Sequence, residues 1–323
     1  MSDKRSLNKL AMDAVKQLTK YKEALRVKVH RAKCKTTIID CGIEVPGSLE
    51  AGRLVSEACM GGRGTVVIAT TTVGSLFFPA AQVTTDDPAL ACLGAQVAGW
   101  SIKVDDFFAL GSGPARALAR VETKLFDHLH YTDSHKEAVL LLETRTIPGA
   151  AVCEYIADKC GVTPDNLYLL VAPTASIVGS VQIAARIVET PIHKLENLKF
   201  DPHKILSGVG ITPIAPVARK DNRAMGLTND AILMMGQTFF FIRSSEGDDI
   251  EALVQKIPSS TSSSYGKPFR QIFKEAKGDF YKIDPGLFAP AMISISDLRT
   301  GTLHTAGQID PDLYLKSIET SLD

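Results

Sequence analysis

The segment at residues 169–189, LLVAPTASIVGSVQIAARIVE, decides the fold. It begins as a short apolar strand, passes through Pro173 and continues as a helix that is almost entirely Val, Ile and Ala around a polar stripe. At about 100° per residue, Gln182, Arg186 and Glu189 fall within about 60° of one another on the helical wheel. A helix that is otherwise apolar is normally buried, and charged side chains on it must be compensated or face a wet cavity. The polar stripe is therefore predicted to face a cleft.

Two interpretations fit Arg186 and Glu189. In the first, they form an ordinary i,i+3 ion pair on a solvated face, which stabilises a helix by about 0.2–0.5 kcal/mol. In the second, the pair is functional, because the polar sector is too narrow for a surface helix. Pro191 is predicted to end the helix just beyond Glu189 and to leave this carboxylate near the helix C-terminus. The macrodipole disfavours negative charge there, and Arg186 would offset it.

Upstream of this segment, strand and helix patterns alternate. Helical periodicity covers residues 7–25, and Ser48 is predicted to cap a helix that starts near Leu49. Strands are predicted at 27–29, 36–40, 138–143 and 167–171, and a helix at 149–160. This alternation predicts an α/β fold in which helices cover a sheet.

Downstream, the segment DPHKILSGVGITPIAP at 201–216 is rich in Gly and Pro, which predicts a loop bordering the cleft. The run SSTSSS at 259–264 is either a flexible linker or an ordered functional loop. The segment DFYKIDPGLFAP offers Tyr281, Lys282 and Phe288 as candidates. Its aromatic rings could cover a flat heterocycle, although core packing alone would explain the phenylalanines. The remaining elements are predicted as a helix at 221–235, a strand at 237–243 and a C-terminal hairpin at 291–298 and 302–307.

The segment GSGPARALA at 111–119 is a candidate anion-binding site. Gly111 and Gly113 flank Ser112 and permit unusual backbone dihedral angles, and Pro114 suits the first turn of a helix. Exposed amides at a helix N-terminus, with Arg116 one turn in, would bind an anion. The alternative is a plain turn between a strand and a helix.

Composition argues against partners that bind through bulk charge. Lys plus Arg and Asp plus Glu each number 36, so no polybasic face is expected for nucleic acid or an anionic membrane. The six cysteines form no CxxC motif and the seven histidines no HExxH motif, so we expect no metal site. There is no apolar stretch of signal-peptide or membrane-span length, and the protein is predicted to be cytoplasmic.

Several segments resemble, in the same order along the chain, those of the methenyltetrahydromethanopterin cyclohydrolase family. The central segment APTASIVGSVQIAARIVE carries the resemblance most clearly. The other matching segments are IDCGIEVPGSLEAG at 39–52, ALGSGPARALA at 109–119, SGVGITPIAP at 207–216, AMGLTNDAIL at 224–233, IPSSTSSSYGKPF at 257–269 and DFYKIDPGLFAPA at 279–291. Collinear matches over almost the whole chain are far more specific than any single short motif.

The resemblance implies two α/β lobes with a large substrate pocket between them, assembled as a homotrimer. From the strand order, the lobes are predicted at 1–145 and 146–323. The C-terminal hairpin either belongs to the second lobe or returns to the first.

The resemblance also implies an enzyme of one-carbon metabolism. It would add water to the amidinium carbon of 5,10-methenyl-tetrahydromethanopterin and open the ring to the 5-formyl compound, with no metal and no redox cofactor. By similarity, Glu189 activates water and faces the cationic carbon, while Arg186 positions and tunes that carboxylate. The substrate-binding residues are then expected among Gln182, Gly111, Ser112, Gly113, Arg116, Tyr281, Lys282 and Phe288. The binding interpretation of GSGPARALA gains weight, because the family's substrate carries a phosphate and carboxylates in its tail.

Two other functions stay open at this point. One is a cyclohydrolase that acts on methenyl-tetrahydrofolate, whose reacting centre is nearly the same. The other is a non-catalytic pterin-binding paralogue, which the presence of both Arg186 and Glu189 disfavours.

Overall fold

The computed structural model describes residues 6–278 and 282–322, and in these it shows a mixed α/β architecture with two six-stranded sheets. The strands are β1 Lys28–Arg31, β2 Thr37–Asp40, β3 Thr65–Val73, β4 Leu76–Thr85, β5 Trp100–Val104, β6 Phe107–Ser112, β7 Ala138–Glu143, β8 Leu167–Ala172, β9 Ile205–Pro213, β10 Gln237–Ile242, β11 Met292–Asp297 and β12 Thr302–Gly307. The α-helices are α1 Leu7–Lys20, α2 Lys22–Leu25, α3 Leu49–Cys59, α4 Ala115–Ala119, α5 Thr123–His128, α6 Ala150–Cys160, α7 Ile177–Ala184, α8 Glu189–Asn197, α9 Asp221–Asp230, α10 Ile250–Val254, α11 Phe269–Glu275 and α12 Pro311–Leu322. Two π-helical segments lie at Ala89–Gln96 and Ala231–Met235. The predicted α/β class with two lobes is confirmed.

The chain divides into two compact units that interleave along the sequence. The first unit comprises Met1–Thr65 and Ala89–Gln182, and the second comprises Val66–Pro88 and Ile183–Asp323. The division expected near residue 145 differs from this arrangement, because residue 145 follows β7 within the first unit. The chain leaves the first unit early for the hairpin β3–β4, whose strand β4 pairs with β9 more than 120 residues later.

The first unit is built on a sheet with the strand order β1-β2-β8-β7-β6-β5. Its centre is parallel, since β8 pairs in parallel with both β2 and β7. The sequence of β7, AVLLLE, is almost continuously apolar because both of its faces are covered. Val139 and Leu141 pack with the apolar side of α1 and α3, whereas Leu140 and Leu142 pack with that of α6. The unit is therefore a three-layer α/β/α sandwich.

The second unit is built on a sheet with the strand order β12-β11-β10-β9-β4-β3. Strand β9 lies in its interior, paired antiparallel with β4 and with β10. The prediction of a loop at 201–216 is therefore wrong. The glycines that suggested a loop are needed for packing instead, since a Cβ atom at Gly208 would lie 3.0 Å from Cγ1 of Val188. The predicted C-terminal hairpin is confirmed, and it belongs to this sheet because β11 pairs in parallel with β10.

In the part of the chain that the structure describes, no helix combines the length and the apolar character needed to span a membrane.

Candidate active site

The polar stripe of the central segment lies where one helix gives way to another. Helix α7 ends at Ala184, a 3₁₀ turn follows at Ala185–Ile187, and α8 begins at Glu189. The prediction that Pro191 ends the helix is wrong. Pro191 lies in the first turn of α8, where backbone N–H groups have no helical partner and a missing donor costs little. Glu189 is consequently at a helix N-terminus, where the macrodipole favours a negative charge.

Arg186 and Glu189 meet as the spacing predicted, but not on a solvated face. Nη1 of Arg186 lies 3.8 Å from Oε2 of Glu189, and the two side chains are only 12% and 10% exposed. A charged pair that is nearly buried gains little stability, because desolvation offsets much of the attraction. The interpretation as an ordinary surface ion pair is therefore wrong, and the geometry favours a functional pair.

Glycines of the second sheet and a buried hydroxyl hold the 3₁₀ turn. A Cβ atom at Gly210 would lie 2.9 Å from Cγ2 of Ile187, which is closer than carbon atoms normally approach. Thr238 donates a hydrogen bond to the Ile187 carbonyl at 2.9 Å. Ile187 and Val188 are fully buried. The backbone on both sides of Val188 is thus held against the sheet. This fixes the directions in which the side chains of Arg186 and Glu189 point.

Helix α8 is tied to the serine-rich segment by a buried lysine. The Lys194 ammonium group donates to the carbonyl oxygens of Pro258 at 3.1 Å and Gly286 at 2.6 Å, and to Oγ1 of Thr261 at 2.9 Å. Burial lowers the pKa of Lys194 from its ordinary 10.5 to about 8. Ser259 is also fully buried and donates to the Leu233 carbonyl. The segment is therefore ordered, and the flexible-linker interpretation is wrong.

Gln182 contacts a residue that the sequence did not single out. Its Nε2 lies 3.4 Å from Oε2 of Glu143, and Thr174 donates a hydrogen bond to the other carboxylate oxygen of Glu143. Glu143 ends β7, and Thr174 follows the neighbouring parallel strand β8. The two partners of Glu143 are 31 and 39 residues away from it along the chain, so no local sequence pattern predicts these contacts.

The GSGPARALA segment forms the plain strand-to-helix turn that was the alternative to an anion site. Gly111 and Ser112 end β6, and the Gly113 N–H donates to the Ala95 carbonyl at 2.8 Å. Gly113 has φ +116°, and a Cβ atom there would lie 3.3 Å from the Val139 carbonyl oxygen.

The Arg116 side chain also makes its contacts within the first unit. Its side chain is fully buried and donates to the carbonyl oxygens of Leu93 and Ala95 at 3.2 and 2.9 Å. Its Nε donates to Oε2 of Glu122 at 2.7 Å, and its Nη2 contacts the same oxygen. The placement of Arg116 as an anion ligand is corrected by these contacts, which assign it a structural role.

The three substrate-binding residues predicted near residue 285 have different outcomes. Tyr281 lies outside the described residues. Lys282 is exposed, and it borders a shallow surface cavity of about 390 Å³ with Lys277 and Ile283. Phe288 packs edge-on against Phe269 with ring centroids 5.7 Å apart, which supports the core-packing alternative.

Within the described residues, His30, Asp40 and Glu44 form the group whose ligand atoms approach closely enough for a metal ion, within 4.8 Å of one another. Both carboxylates have partners in the protein. Asp40 accepts hydrogen bonds from the backbone N–H groups of Gly42, Ile43 and Glu44, and Lys28 lies 2.6 Å from Glu44. These contacts account for the group as a capped strand end with an ion pair.

A family model described as Cyclohydrolase (MCH) matches residues 6–318. The chain belongs to the MCH cyclohydrolase family. The family predicted from the central segment and its collinear neighbours is thus confirmed.

Individual relatives agree with the family match. The chain is 48% identical over 315 residues to a methenyltetrahydromethanopterin cyclohydrolase of Methanothermobacter marburgensis, covering 97% of this chain and 98% of that protein. It is 46% identical over 317 residues to the enzyme of that name from Methanococcus vannielii, with the same coverage of 97% and 98%. The corresponding protein of Methanocaldococcus jannaschii is 45% identical over 316 residues, again covering 97% and 98%.

Proposed function

We propose that this chain catalyses the reversible hydrolysis of 5,10-methenyl-tetrahydromethanopterin to 5-formyl-tetrahydromethanopterin. The observation that carries the proposal is the nearly buried Arg186–Glu189 pair at the junction of two helices. A full-length family match and relatives that bear this enzyme's name support the same reaction.

The chemistry needs one well-placed carboxylate. The methenyl carbon is already electrophilic, because its positive charge is shared over N5 and N10. Glu189 accepts a proton from water as the oxygen adds to that carbon, which gives a neutral carbinol intermediate. General-base assistance of this kind contributes about 10²–10⁴-fold. A carboxylate also attracts the cationic carbon electrostatically.

Ring opening then reverses the proton movement. The protonated Glu189 returns its proton to N10 and the bond from the carbon to N10 breaks. The hydroxyl proton passes to solvent as the C=O bond of the formyl group forms. Water and the methenyl cation thus yield the formyl compound and one proton. Each step uses the same side chain, so Glu189 is ready for the next turnover.

Arg186 serves as the positioning partner of this carboxylate. Its guanidinium lies 3.8 Å from Oε2 of Glu189, and it presents donors in a rigid plane that restrains the carboxylate. Gln182 precedes Arg186 by four residues along the same helical segment and is proposed to contact the substrate.

Other properties stay predictions that rest on the family resemblance. We expect a large pocket for the pterin derivative, no metal, no redox cofactor, a homotrimer and a cytoplasmic location. Light scattering on the purified chain tests the trimer. Elemental analysis together with an assay in chelator tests the independence from metal.

The activity is tested by the loss of near-ultraviolet methenyl absorbance. Purified protein is mixed with methenyl-tetrahydromethanopterin, and methenyl-tetrahydrofolate is run in parallel. Fast loss with the methanopterin compound is the expected result. Fast loss with the folate compound alone would establish the alternative carrier, and binding without loss of absorbance would identify a non-catalytic paralogue.

A further inference from the structure

Glu143 occupies the position in its sheet where α/β proteins bind ligands. It is the last residue of β7, and β7, β8 and β2 run parallel at the centre of the first sheet. Ligands of such sheets bind outside the carboxyl ends of the strands. Glu143 is half-buried, so its carboxylate is neither enclosed in the core nor free in solvent.

Each carboxylate oxygen of Glu143 has one neutral donor beside it. Thr174 donates its hydroxyl hydrogen to Oε1, and the Gln182 amide nitrogen lies 3.4 Å from Oε2. Thr174 and Gln182 are each only 3% exposed, so both donors are fixed by their surroundings. A carboxylate offers about four acceptor sites. About one acceptor site therefore remains on each oxygen.

The charge at this position has not been neutralised by these contacts. Thr174 and Gln182 are neutral donors, and a partly buried carboxylate costs free energy unless further donors or a cation satisfy it. The missing partner is expected to be a group with two adjacent N–H donors, because paired donors match paired carboxylate oxygens in bidentate geometry.

We propose that Glu143 recognises the pterin ring of the substrate, an inference that rests on the proposed function. A pterin carries an N3–H and a 2-amino group next to each other, which form a planar donor pair like one edge of a guanidinium. Glu143 accepts one hydrogen bond on each oxygen from this pair. Glu143 is thus assigned to binding and specificity, with no part in proton transfer.

The substitution Glu143→Gln tests this role. Glutamine keeps the shape but places an NH₂ group opposite one of the pterin donors. A hydrogen bond to a charged group contributes about 1.5–3 kcal/mol, so KM should rise about 10- to 100-fold while kcat stays within about threefold of wild type. The matched control is Glu154→Gln, which changes an exposed glutamate on α6 of the same unit and should leave KM unchanged.

A second measurement separates recognition from a structural effect of the substitution. Wild-type protein is titrated with 6-methyltetrahydropterin, which lacks the tail and the amidinium, and with its 2-desamino analogue. Wild type should bind the analogue at least about tenfold more weakly, and Glu143→Gln should bind the two compounds equally. If Glu143→Gln does not fold, equal affinity of wild type for the two pterins still refutes the inference.

Three results would overturn the inference. They are an unchanged KM in Glu143→Gln, a loss confined to kcat, and equal affinity of wild type for the two pterins. A wild-type protein that hydrolyses neither methenyl carrier would instead refute the proposed function. The two failures are thereby distinguished.

Discussion

Replacing Gly210 with alanine should displace the 3₁₀ turn that contains Arg186, lies just before Glu189 and packs against β9. A Cβ atom at this position would lie 2.9 and 3.0 Å from Cγ2 and Cγ1 of Ile187, and 3.2 Å from Cγ2 of Val188. Carbon atoms in contact prefer about 3.5–4.0 Å, so the 3₁₀ turn must move by roughly 0.6–1 Å. Because Ile187 and Val188 are fully buried, neither can swing into solvent.

Two effects of different size follow from that displacement. Overpacking of a core typically costs about 1–3 kcal/mol of unfolding free energy. Turnover should fall more steeply, by about 10²-fold, because a shift of about 1 Å in catalytic groups has that effect. Arg186 directly precedes Ile187, and Glu189 directly follows Val188, so both share the displacement.

Urea unfolding and steady-state turnover measure the two effects. The control is Gly94→Ala, since a Cβ atom at Gly94 would meet its nearest neighbour, Leu90, at an ordinary 3.5 Å. The double variant Gly210→Ala with Ile187→Ala removes the two closest clashing atoms, so its stability loss should be at least about 1 kcal/mol smaller than the sum of the single losses. Unchanged stability and turnover in Gly210→Ala, or strictly additive losses in the double variant, would refute the reasoning.

Three further substitutions probe individual assignments. Arg116→Met should lower the unfolding free energy, measured by urea titration, by about 3–5 kcal/mol and leave KM unchanged, because the buried guanidinium binds Glu122 and two carbonyls. A raised KM in a stable variant would restore the anion-site interpretation. Burial raises the pKa of Asp230 from 3.8 to about 7. The unfolding free energy of wild type should therefore fall by about 2–4 kcal/mol relative to that of Asp230→Asn as the pH rises from about 4 to 7. A difference in unfolding free energy that does not change with pH would contradict this. Arg186→Ala should reduce turnover at least about tenfold and Arg186→Lys should recover part of it; an unaltered rate and pH–rate profile would make the pair merely structural.

The direction of the Asp230 effect follows from proton binding. Between about pH 4 and 7 the folded state holds a proton that the unfolded state has released, so stability is greatest below pH 4 and is lost as the pH rises through 7. The buried carboxyl group accepts a hydrogen bond from the Phe269 N–H at 2.8 Å and one from the Ser317 hydroxyl. Burial raises the pKa of the Tyr314 and Tyr265 phenols, and the negative charge of Asp230 adds to both shifts, after that of Asp310 in the case of Tyr265. Asparagine cannot titrate, and it therefore removes this pH dependence.

Elements with local signals were predictable from the sequence. The helix expected from the periodicity of residues 7–25 forms as α1 and α2, and Ser48 accepts a hydrogen bond from the Ala51 N–H at 3.0 Å as a helix cap. Strand β7 and helix α6 also formed close to their predicted bounds. In each case the deciding interactions lie within a few residues, or the apolar pattern itself requires burial.

Elements that depend on distant partners were not predictable in this way. The glycines of β9 predicted a loop, because the sequence does not show that Ile187 and Val188 pack against them. Arg116 read as an anion ligand because nothing near it in sequence shows that the Leu93 and Ala95 carbonyls surround it. Glu143 carries no local motif at all. Apart from the ion pair of Arg116 with Glu122, the contacts that define these residues lie about 20 or more residues away along the chain. Such contacts leave no periodic trace in the sequence.

The role of Glu189 is the central claim, and one measurement tests it most directly. Turnover of methenyl-tetrahydromethanopterin is compared among wild type, Glu189→Gln and Glu251→Gln, the last being an exposed glutamate on α10 of the same unit. Substrate binding is followed in parallel by titration. We expect Glu189→Gln to bind substrate but to lose at least about a hundredfold in kcat, with Glu251→Gln unaffected. Near-normal turnover by Glu189→Gln would contradict the account.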